Sequence, residues 1–260
     1  MKQSSADCSI RSTLHIIMHD PNGSPKRIGS GCIIQFDTFS ALFSVAHVTD
    51  RTDSGACISL DKPATNGSHL YSVGGMCYLA KFNMKKFEEQ LEQLKTEPAR
   101  IEKIDFGQID LSFVKVLDNL NIVQLPMNFE NADLRIKGGK KIPILFSSLV
   151  EPSTKKEYAF FGRIKPEFLR LPGIGDFFET REIYYSGLKF IKKIGHYYEF
   201  ELPTPIQDHA DFQGTSGAPI MDAKGKVVSL VTHGYEGGTK IYGIALSDFM
   251  AMATIMLKHE

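Results

Sequence analysis

The stretch Phe212-Gln213-Gly214-Thr215-Ser216-Gly217-Ala218-Pro219 places one serine between glycines and ends in a proline. It has no apolar periodicity, so we interpret it as a turn that presents Ser216. The backbone N–H groups of Gly214 and Ser216 are candidates for two donors that point at one spot, which is what the oxyanion of an acyl-transfer reaction requires. Taken alone, the motif is more typical of a surface loop of small residues, so its meaning depends on the rest of the chain.

The composition of the whole chain is that of an ordinary globular protein. Its 260 residues are 42% hydrophobic and 23% charged, which indicates neither disorder nor a fibrous repeat. Thirty basic residues balance thirty acidic ones, which argues against a dedicated nucleic-acid surface. We interpret the local basic run at 137–141 as a solvated turn.

The sequence predicts no secretory signal, because the N-terminal residues 1–7 contain no apolar run. It predicts no membrane span, because no later stretch reaches about 18 apolar residues. We therefore expect a soluble, cytoplasmic protein. The cysteines Cys8, Cys32, Cys57 and Cys77 contain no CxxC pair, so we expect reduced thiols. A metal site made of Cys57, Cys77 and His69 is conceivable, but its spacing resembles no zinc knuckle. We predict neither a metal nor an organic cofactor.

Short apolar runs between turn residues predict many β-strands. The turn at 20–23 contains Asn-Gly and predicts a hairpin, and the runs at 29–36 and 41–46 predict two paired strands that end at His47. The remaining predicted strands cover residues 12–18, 109–116, 141–149, 156–164, 182–191, 196–202, 219–221, 226–232 and 241–246.

Two helices are predicted among these strands. Apolar residues recur at spacings of three and four from Met84 to Leu94, which predicts an inserted helix near residues 82–97. Its single apolar stripe favours a packed cover over a partner-binding element. A second helix is predicted from Ser247 to the end of the chain. Many strands with few helices favour an all-β sandwich or barrel, and there are enough strands for two barrels.

Three residues in the order His47, Asp110, Ser216 suggest nucleophilic catalysis. A serine hydroxyl needs a base to take its proton, and that base needs a buried acid to fix its tautomer. Aspartate is depleted from strands, so an acid at the start of the strand at 109–116 needs a reason to be there. Asp105 is a rival acid, and we prefer Asp110 because an apolar strand follows it. The order of the three differs from those of α/β-hydrolases and subtilisins.

In these features the chain resembles the trypsin-like (chymotrypsin-fold) serine protease family, in particular its bacterial and intracellular members. The resemblance spans residues 12–246 and implies two packed antiparallel β-barrels with the active site between them. Residues 1–120 would carry His47 and Asp110, and residues 121–260 would carry Ser216. The matching pieces are Gly29-Ser30-Gly31-Cys32-Ile33-Ile34, Ser44-Val45-Ala46-His47-Val48, Asp110-Leu111-Ser112-Phe113 and Gly214-Thr215-Ser216-Gly217-Ala218-Pro219.

The resemblance implies a serine endopeptidase that hydrolyses protein or peptide substrates. Ser216 would be the nucleophile, His47 the general base and Asp110 the residue that orients it, with the N–H groups of Gly214 and Ser216 as the oxyanion hole. Thr215 replaces the aspartate that pairs with a newly cut N-terminus in digestive members of the family. We therefore expect no zymogen activation by that route.

The resemblance also implies a substrate-binding set of Ala210, Thr232, His233 and Gly234. A histidine at 233 would suit an acidic substrate side chain, as in glutamyl-specific relatives, although a histidine at the rim of the pocket is the plainer interpretation. Ala210 at the base of the pocket provides no carboxylate for lysine or arginine, whereas a shift of one residue to Asp211 would provide one. Specificity stays open at this point.

Two other functions stay open beside the endopeptidase. One is a binding or scaffold protein that keeps the barrel fold without turnover, and the other is an esterase that uses the same triad. The presence of all three triad residues weighs against the scaffold, and only the substrate separates the esterase from the protease. We expect no nucleic-acid or membrane partner, and the sequence indicates neither an activating partner nor the oligomeric state.

Overall fold

A computed structural model describes residues 5–50, 54–60, 62, 69–96, 107–117, 120–129, 134–171, 175–206, 212–234 and 237–259. Three positions considered above, Asp105, Ala210 and Asp211, lie outside the described residues.

Strands are the main type of secondary structure in the described chain. The helices are α1 (Ser5–Ser12), α2 (Ala46–Thr49), α3 (Met84–Thr96) and α4 (Met250–His259), with short 3-10 turns at Phe146–Ser148 and Leu246–Asp248. The strands of the first half are β1 (Leu14–His19), β2 (Pro25–Gln35), β3 (Ser40–Ser44), β4 (Gly55–Ser59), β5 (Leu70–Gly74), β6 (Cys77–Tyr78) and β7 (Ser112–Val116). The strands of the second half are β8 (Val123–Gln124), β9 (Met127–Phe129), β10 (Leu134–Ile136), β11 (Gly139–Lys140), β12 (Ile144–Leu145), β13 (Glu157–Leu171), β14 (Gly175–Ile194), β15 (Tyr197–Glu201), β16 (Pro219–Asp222), β17 (Val227–Gly234) and β18 (Lys240–Ala245).

The first β-unit is an eight-stranded sheet in the order β5-β4-β1-β2-β3-β7-β6, with β12 paired to β2. Strand β3 is buried along its whole length, so its residues are apolar or small and pack on both faces. Its register places Phe43 opposite Phe113 and Ser44 opposite Ser112. The end of β3 and the start of β7 therefore meet at one edge of the sheet.

The second β-unit is a closed barrel in the order β13-β14-β15-β18-β17-β16. All eight residues of β17 are buried, because this strand lies in the barrel wall that is covered by other parts of the chain. Pro219 at the start of β16 pairs with Leu230 of β17. This register brings the turn before Pro219 next to the end of β17.

The prediction of an all-β fold with an inserted helix and a C-terminal helix is confirmed. Among the described strands, closure into a barrel is seen only in the second unit. Helix α4 packs on the core of the first unit, where Ala253 and Leu257 are fully buried. The strand predicted at 141–149 is wrong in extent, because the strand covers only Ile144–Leu145, a 3-10 turn follows it, and Leu149 forms only an isolated bridge with Val227.

Helix α1 was not predicted from the sequence. An isolated helix of eight residues is marginal in water, and tertiary contacts stabilise this one. Ile10 is fully buried against Ile136 and Phe161. Arg11 pairs with Asp7 at 2.8 Å and donates to the Lys137 carbonyl at 2.7 Å.

The described residues contain no group of three or more His, Cys, Asp or Glu side chains arranged to hold a metal ion. All four cysteines are free thiols, and burial raises the pKa of Cys32. Within the described ranges, no helix has both the length and the apolar character that crossing a bilayer requires.

Candidate active site

The pairing of β3 with β7 places His47 beside Asp110. His47 lies three residues beyond the end of β3 and Asp110 lies two residues before the start of β7, at the edge where Ser44 is opposite Ser112. His47 Nδ1 is 2.7 Å from Asp110 Oδ2, and the His47 backbone N–H donates to Asp110 Oδ1 at 2.9 Å. Both carboxylate oxygens therefore bind the same histidine.

Asp110 is fully buried, whereas the His47 side chain is 14% exposed. A buried carboxylate accepts hydrogen bonds because leaving it unpaired away from water is costly. Nδ1 is the donor in this contact, so the neutral His47 ring carries its lone pair on Nε2. That tautomer is the one a general base needs.

The pairing of β16 with β17 places Ser216. The backbone ladder continues into the turn, because Gly217 donates to the Val231 carbonyl at 2.7 Å and Val231 donates to the Ala218 carbonyl at 2.8 Å. Gly217 has φ +91°, and a Cβ at this position would lie 1.9 Å from the Ser30 carbonyl oxygen. Only glycine allows this approach without strain.

The Ser216 hydroxyl donates to the Thr232 carbonyl at 3.1 Å. A hydroxyl has one hydrogen, so in this arrangement it is not donated to His47. Both residues line the same cleft, and a hydrogen bond from Ser216 to His47 requires the hydroxyl to leave the Thr232 carbonyl. Such contacts are often loose in the absence of substrate.

The backbone N–H groups of the turn fall into two sets. In the first set, Thr215 donates to the Phe212 carbonyl, Gly217 to the Val231 carbonyl and Ala218 to the Thr215 carbonyl. Among the described residues, no acceptor is found for the N–H groups of Gly214 and Ser216, nor for those of Phe212 and Gln213 at the start of the turn. Gly214 and Ser216 both line the cleft, so their two free donors are candidates for binding a ligand anion there.

The cleft between the two β-units has a volume of about 500 Å³. The triad candidates His47 and Ser216 line it, and so do the predicted substrate-binding residues Thr232, His233 and Gly234. The turn 212–216 and β2 residues Lys26 to Ile28 form further walls. The fourth predicted substrate-binding residue, Ala210, lies outside the described residues.

Helix α3 supplies a wall of the cleft that sequence reasoning did not assign to the site. Phe87 stacks on the His47 ring, with ring centroids 4.9 Å apart and an angle of 24° between the planes. It also contacts His233 edge-on at 5.6 Å. The apolar stripe of α3 predicted a packed helix face, but no sequence signal indicated that this face would pack on His47.

His233 is buried and neutral. Its ring stacks on Tyr242 with centroids 4.9 Å apart. Burial, with a smaller effect of His47, lowers the pKa of His233 to about 3, against an opposing influence of Asp110. The Thr232 hydroxyl donates to the Tyr242 carbonyl at 2.9 Å and lies 3.0 Å from His233 Nδ1. Because that hydroxyl has one hydrogen, Nδ1 must be the donor to Thr232.

His47 and Asp110 thus lie at one edge of the first β-unit, Ser216 lies on a turn of the second, and the cleft lies between the two units. No family model and no curated protein sequence matches the chain.

Solved structures that are similar to the chain include three proteases. A serine endoprotease from Yersinia pestis is 12% identical with a TM-score of 0.49, over 99% of this chain and 68% of that one. The Rv3671c protease from M. tuberculosis in its active form is 12% identical with a TM-score of 0.48, over 96% and 82% of the two chains. A human pathogenic astrovirus serine protease is 10% identical with a TM-score of 0.42, over 91% and 90%. At these values the function has to be argued from the geometry of the site itself.

Proposed function

We propose that the chain is a serine endopeptidase that uses His47, Asp110 and Ser216 as a catalytic triad. The observation that carries the proposal is the contact of 2.7 Å between His47 and the fully buried Asp110, in a cleft that Ser216 also lines. A buried acid that fixes the tautomer of a histidine beside a serine is the arrangement that activates a hydroxyl nucleophile.

In the proposed reaction, Ser216 Oγ attacks the scissile carbonyl carbon while His47 Nε2 accepts the hydroxyl proton. His47 then donates this proton to the leaving amine as the acyl-enzyme forms. A water molecule hydrolyses the acyl-enzyme by the same steps in reverse. The N–H groups of Gly214 and Ser216, which flank Thr215 and have no acceptor among the described residues, would hold the oxyanion.

We also propose that the nucleophile turn needs no cut N-terminus to form. Thr215 is 1% exposed, and its hydroxyl donates to the Phe212 carbonyl at 2.9 Å. In a zymogen-type enzyme the residue at this position is an aspartate that pairs with the newly cut N-terminus. In this chain Thr215 instead makes a hydrogen bond within the turn.

For the substrate, we propose that Thr232, His233 and Gly234 line the pocket of an uncharged side chain. A pKa of about 3 leaves His233 neutral at pH 7, so it offers no full positive charge to an acidic side chain. This argues against the glutamyl-type specificity considered from the sequence. Peptide libraries that vary the residue before the cleaved bond test the proposal, and a strong preference for glutamate or aspartate would overturn it.

The central experiment is labelling with a fluorophosphonate probe, followed by mass spectrometry of the labelled peptide. The wild-type chain should be labelled at Ser216, and Ser216→Ala should not be labelled. Ser186→Ala is the matched control, because Ser186 is an exposed serine on β14, and it should be labelled like the wild type. Labelling of Ser216→Ala to the same extent as the wild type would contradict the triad.

One observation favours the non-catalytic scaffold as the second candidate, namely the donation of the Ser216 hydroxyl to the Thr232 carbonyl. A scaffold would keep this contact in the presence of substrate-like ligands and would not react with the probe. Parallel peptide and ester libraries separate the protease from an esterase, because the esterase would hydrolyse only the esters.

A further inference from the structure

Ser30 of β2 contacts the nucleophile turn from the opposite β-unit. Its hydroxyl donates to the Gly214 carbonyl at 2.7 Å, and its backbone N–H donates to the Ser216 carbonyl at 2.7 Å. Ser30 is fully buried, and its own carbonyl accepts a hydrogen bond from the Ser44 hydroxyl at 2.7 Å. One residue therefore holds two carbonyls of the turn that are two positions apart.

These contacts fix the peptide planes around the candidate oxyanion donors. In a trans peptide the C=O and the N–H point to opposite sides. The plane between Gly214 and Thr215 is held at its carbonyl by Ser30 and at its N–H by the Phe212 carbonyl. The plane between Ser216 and Gly217 is held at its carbonyl by Ser30 and at its N–H by the Val231 carbonyl.

The N–H of Ser216 lies in the plane between these two. That middle plane is held only at the Thr215 carbonyl, which accepts from Ala218 at 2.8 Å. Its orientation thus depends on the two neighbouring planes that Ser30 holds. Gly214 has φ +100°, and glycine has access to more backbone conformations than any other residue type. The hydroxyl of Ser30 therefore binds the turn at a residue whose backbone could otherwise adopt other conformations.

We propose that Ser30 is a positioning residue that orders the oxyanion-binding turn through its hydroxyl. This rests on the proposed function of Ser216. Ser30 does not touch the reacting atoms; it acts through the Gly214 carbonyl. Its hydroxyl stabilises the arrangement of donors that the transition state requires, so its loss affects kcat rather than substrate binding.

The test compares Ser30→Ala with Ser30→Thr, which keeps the hydroxyl. For Ser30→Ala we expect kcat to fall about tenfold with KM changed less than about threefold, which is less than the loss of a whole oxyanion donor. Ser30→Thr should restore most of kcat. The control is Thr13→Val, which also removes a buried hydroxyl that donates to a backbone carbonyl, in this case that of Ser9 at 2.8 Å. Thr13 lies between α1 and β1, away from the turn that carries Ser216.

A second measurement is independent of turnover. The Thr215 N–H shares its peptide plane with the Gly214 carbonyl, so its hydrogen exchange in the folded protein should be about tenfold faster in Ser30→Ala than in the wild type. Thr13→Val should leave this exchange rate unchanged, even where it lowers the thermal midpoint as much as Ser30→Ala does.

The two proposals fail in different ways. A wild-type chain that does not react at Ser216 contradicts the proposed function, and exchange at Thr215 then still decides the role of Ser30. Wild-type kcat and wild-type exchange in Ser30→Ala would overturn the positioning role while the proposed function stands. An increase of KM without loss of kcat would also overturn it. If Ser30→Ala does not fold, Ser30→Cys, which is close in size but a weak donor, takes its place with the same expected results.

Discussion

The two halves of the candidate site are held in different ways. On the first β-unit, the His47 ring is held by the Asp110 side chain, and both residues lie just beyond the paired ends of two neighbouring strands of one sheet. On the second β-unit, Ser216 lies on a turn whose backbone is held partly by Ser30 of the other unit. The first half depends on side-chain chemistry within one sheet, and the second depends on backbone contacts across the cleft.

This difference indicates which changes each half tolerates. The histidine half should be sensitive to the charge and acceptor capacity of one buried side chain. The serine half should be sensitive to changes in backbone conformation and to anything that moves the two β-units apart. The following variants test this division, beginning with the largest expected effect.

Asp110→Asn should lower kcat by about 10⁴-fold, because an amide at this position no longer enforces the tautomer with Nδ1 protonated. KM should change little. The control is Asp222→Asn, since Asp222 is also a buried carboxylate, paired with Lys156 at 2.6 Å, but does not line the cleft. Steady-state hydrolysis of the best library peptide measures both, and a loss in kcat of less than about tenfold for Asp110→Asn would remove the acid from its proposed role.

Gly217→Ala should lower kcat by about 10²-fold, because its Cβ would lie 1.9 Å from the Ser30 carbonyl oxygen and displace the turn. The matched control is Gly23→Ala. Gly23 also has a positive φ, of +82°, but no atom lies within 4 Å of its Cβ position. Equal kcat values for the two variants would show that the contact between Gly217 and Ser30 does not set the geometry of the turn.

Phe87→Ala should lower kcat by about tenfold, because the His47 ring loses the surface against which it stacks at 4.9 Å. Larger substrate side chains should be accepted at the same time, since the cleft becomes wider. Lys85→Ala on the same helix removes only an exposed side chain and should leave kcat unchanged. The role of α3 as a wall of the site is wrong if both variants hydrolyse the peptide library like the wild type.

The smallest expected effect is on the pH dependence of stability. The folded-state pKa of His233 is lowered from 6.5 to about 3, so below about pH 6.5 the unfolded state binds the proton more readily. This group therefore lowers the free energy of unfolding as the pH falls, by about 1 kcal/mol between pH 7 and pH 5.5.

Urea unfolding at the two pH values measures this contribution. His233→Gln should show a smaller loss of stability on acidification than the wild type, whatever its stability at pH 7. The control is His259→Gln, because His259 is exposed near the end of α4, and its loss on acidification should match that of the wild type. An unchanged loss in His233→Gln would mean that the ring is not kept neutral by burial.

Much of the fold followed from sequence patterns that depend on neighbours along the chain. The Asn-Gly turn, the apolar runs that end at His47 and the helical spacing from Met84 each gave an element close to its observed bounds. Helix α1 and the short extent of β12 did not follow, because a short helix forms only where distant residues bury Ile10, and a short apolar run fits a strand or a 3-10 turn equally well.

The residues of the candidate site that could be predicted from the sequence are those whose side-chain type and order along the chain indicate a chemical role. His47, Asp110 and Ser216 were selected because acyl transfer needs a base, an acid and a nucleophile in known orders. Phe87 and Ser30 could not be assigned to the site, because a phenylalanine on a helix stripe and a serine between glycines are common in any core. Their importance comes from what they touch.

The sequence alone determined the strand-rich class of the chain, the glycine turn around Ser216 and the identity of three residues able to perform nucleophilic chemistry, since these depend on local backbone preferences and on functional groups. Only the tertiary structure decided that the Ser216 hydroxyl donates to Thr232, that His233 is neutral, and that Ser30 holds the turn. These properties arise from burial and from hydrogen bonds between residues far apart in the chain, and local sequence encodes neither.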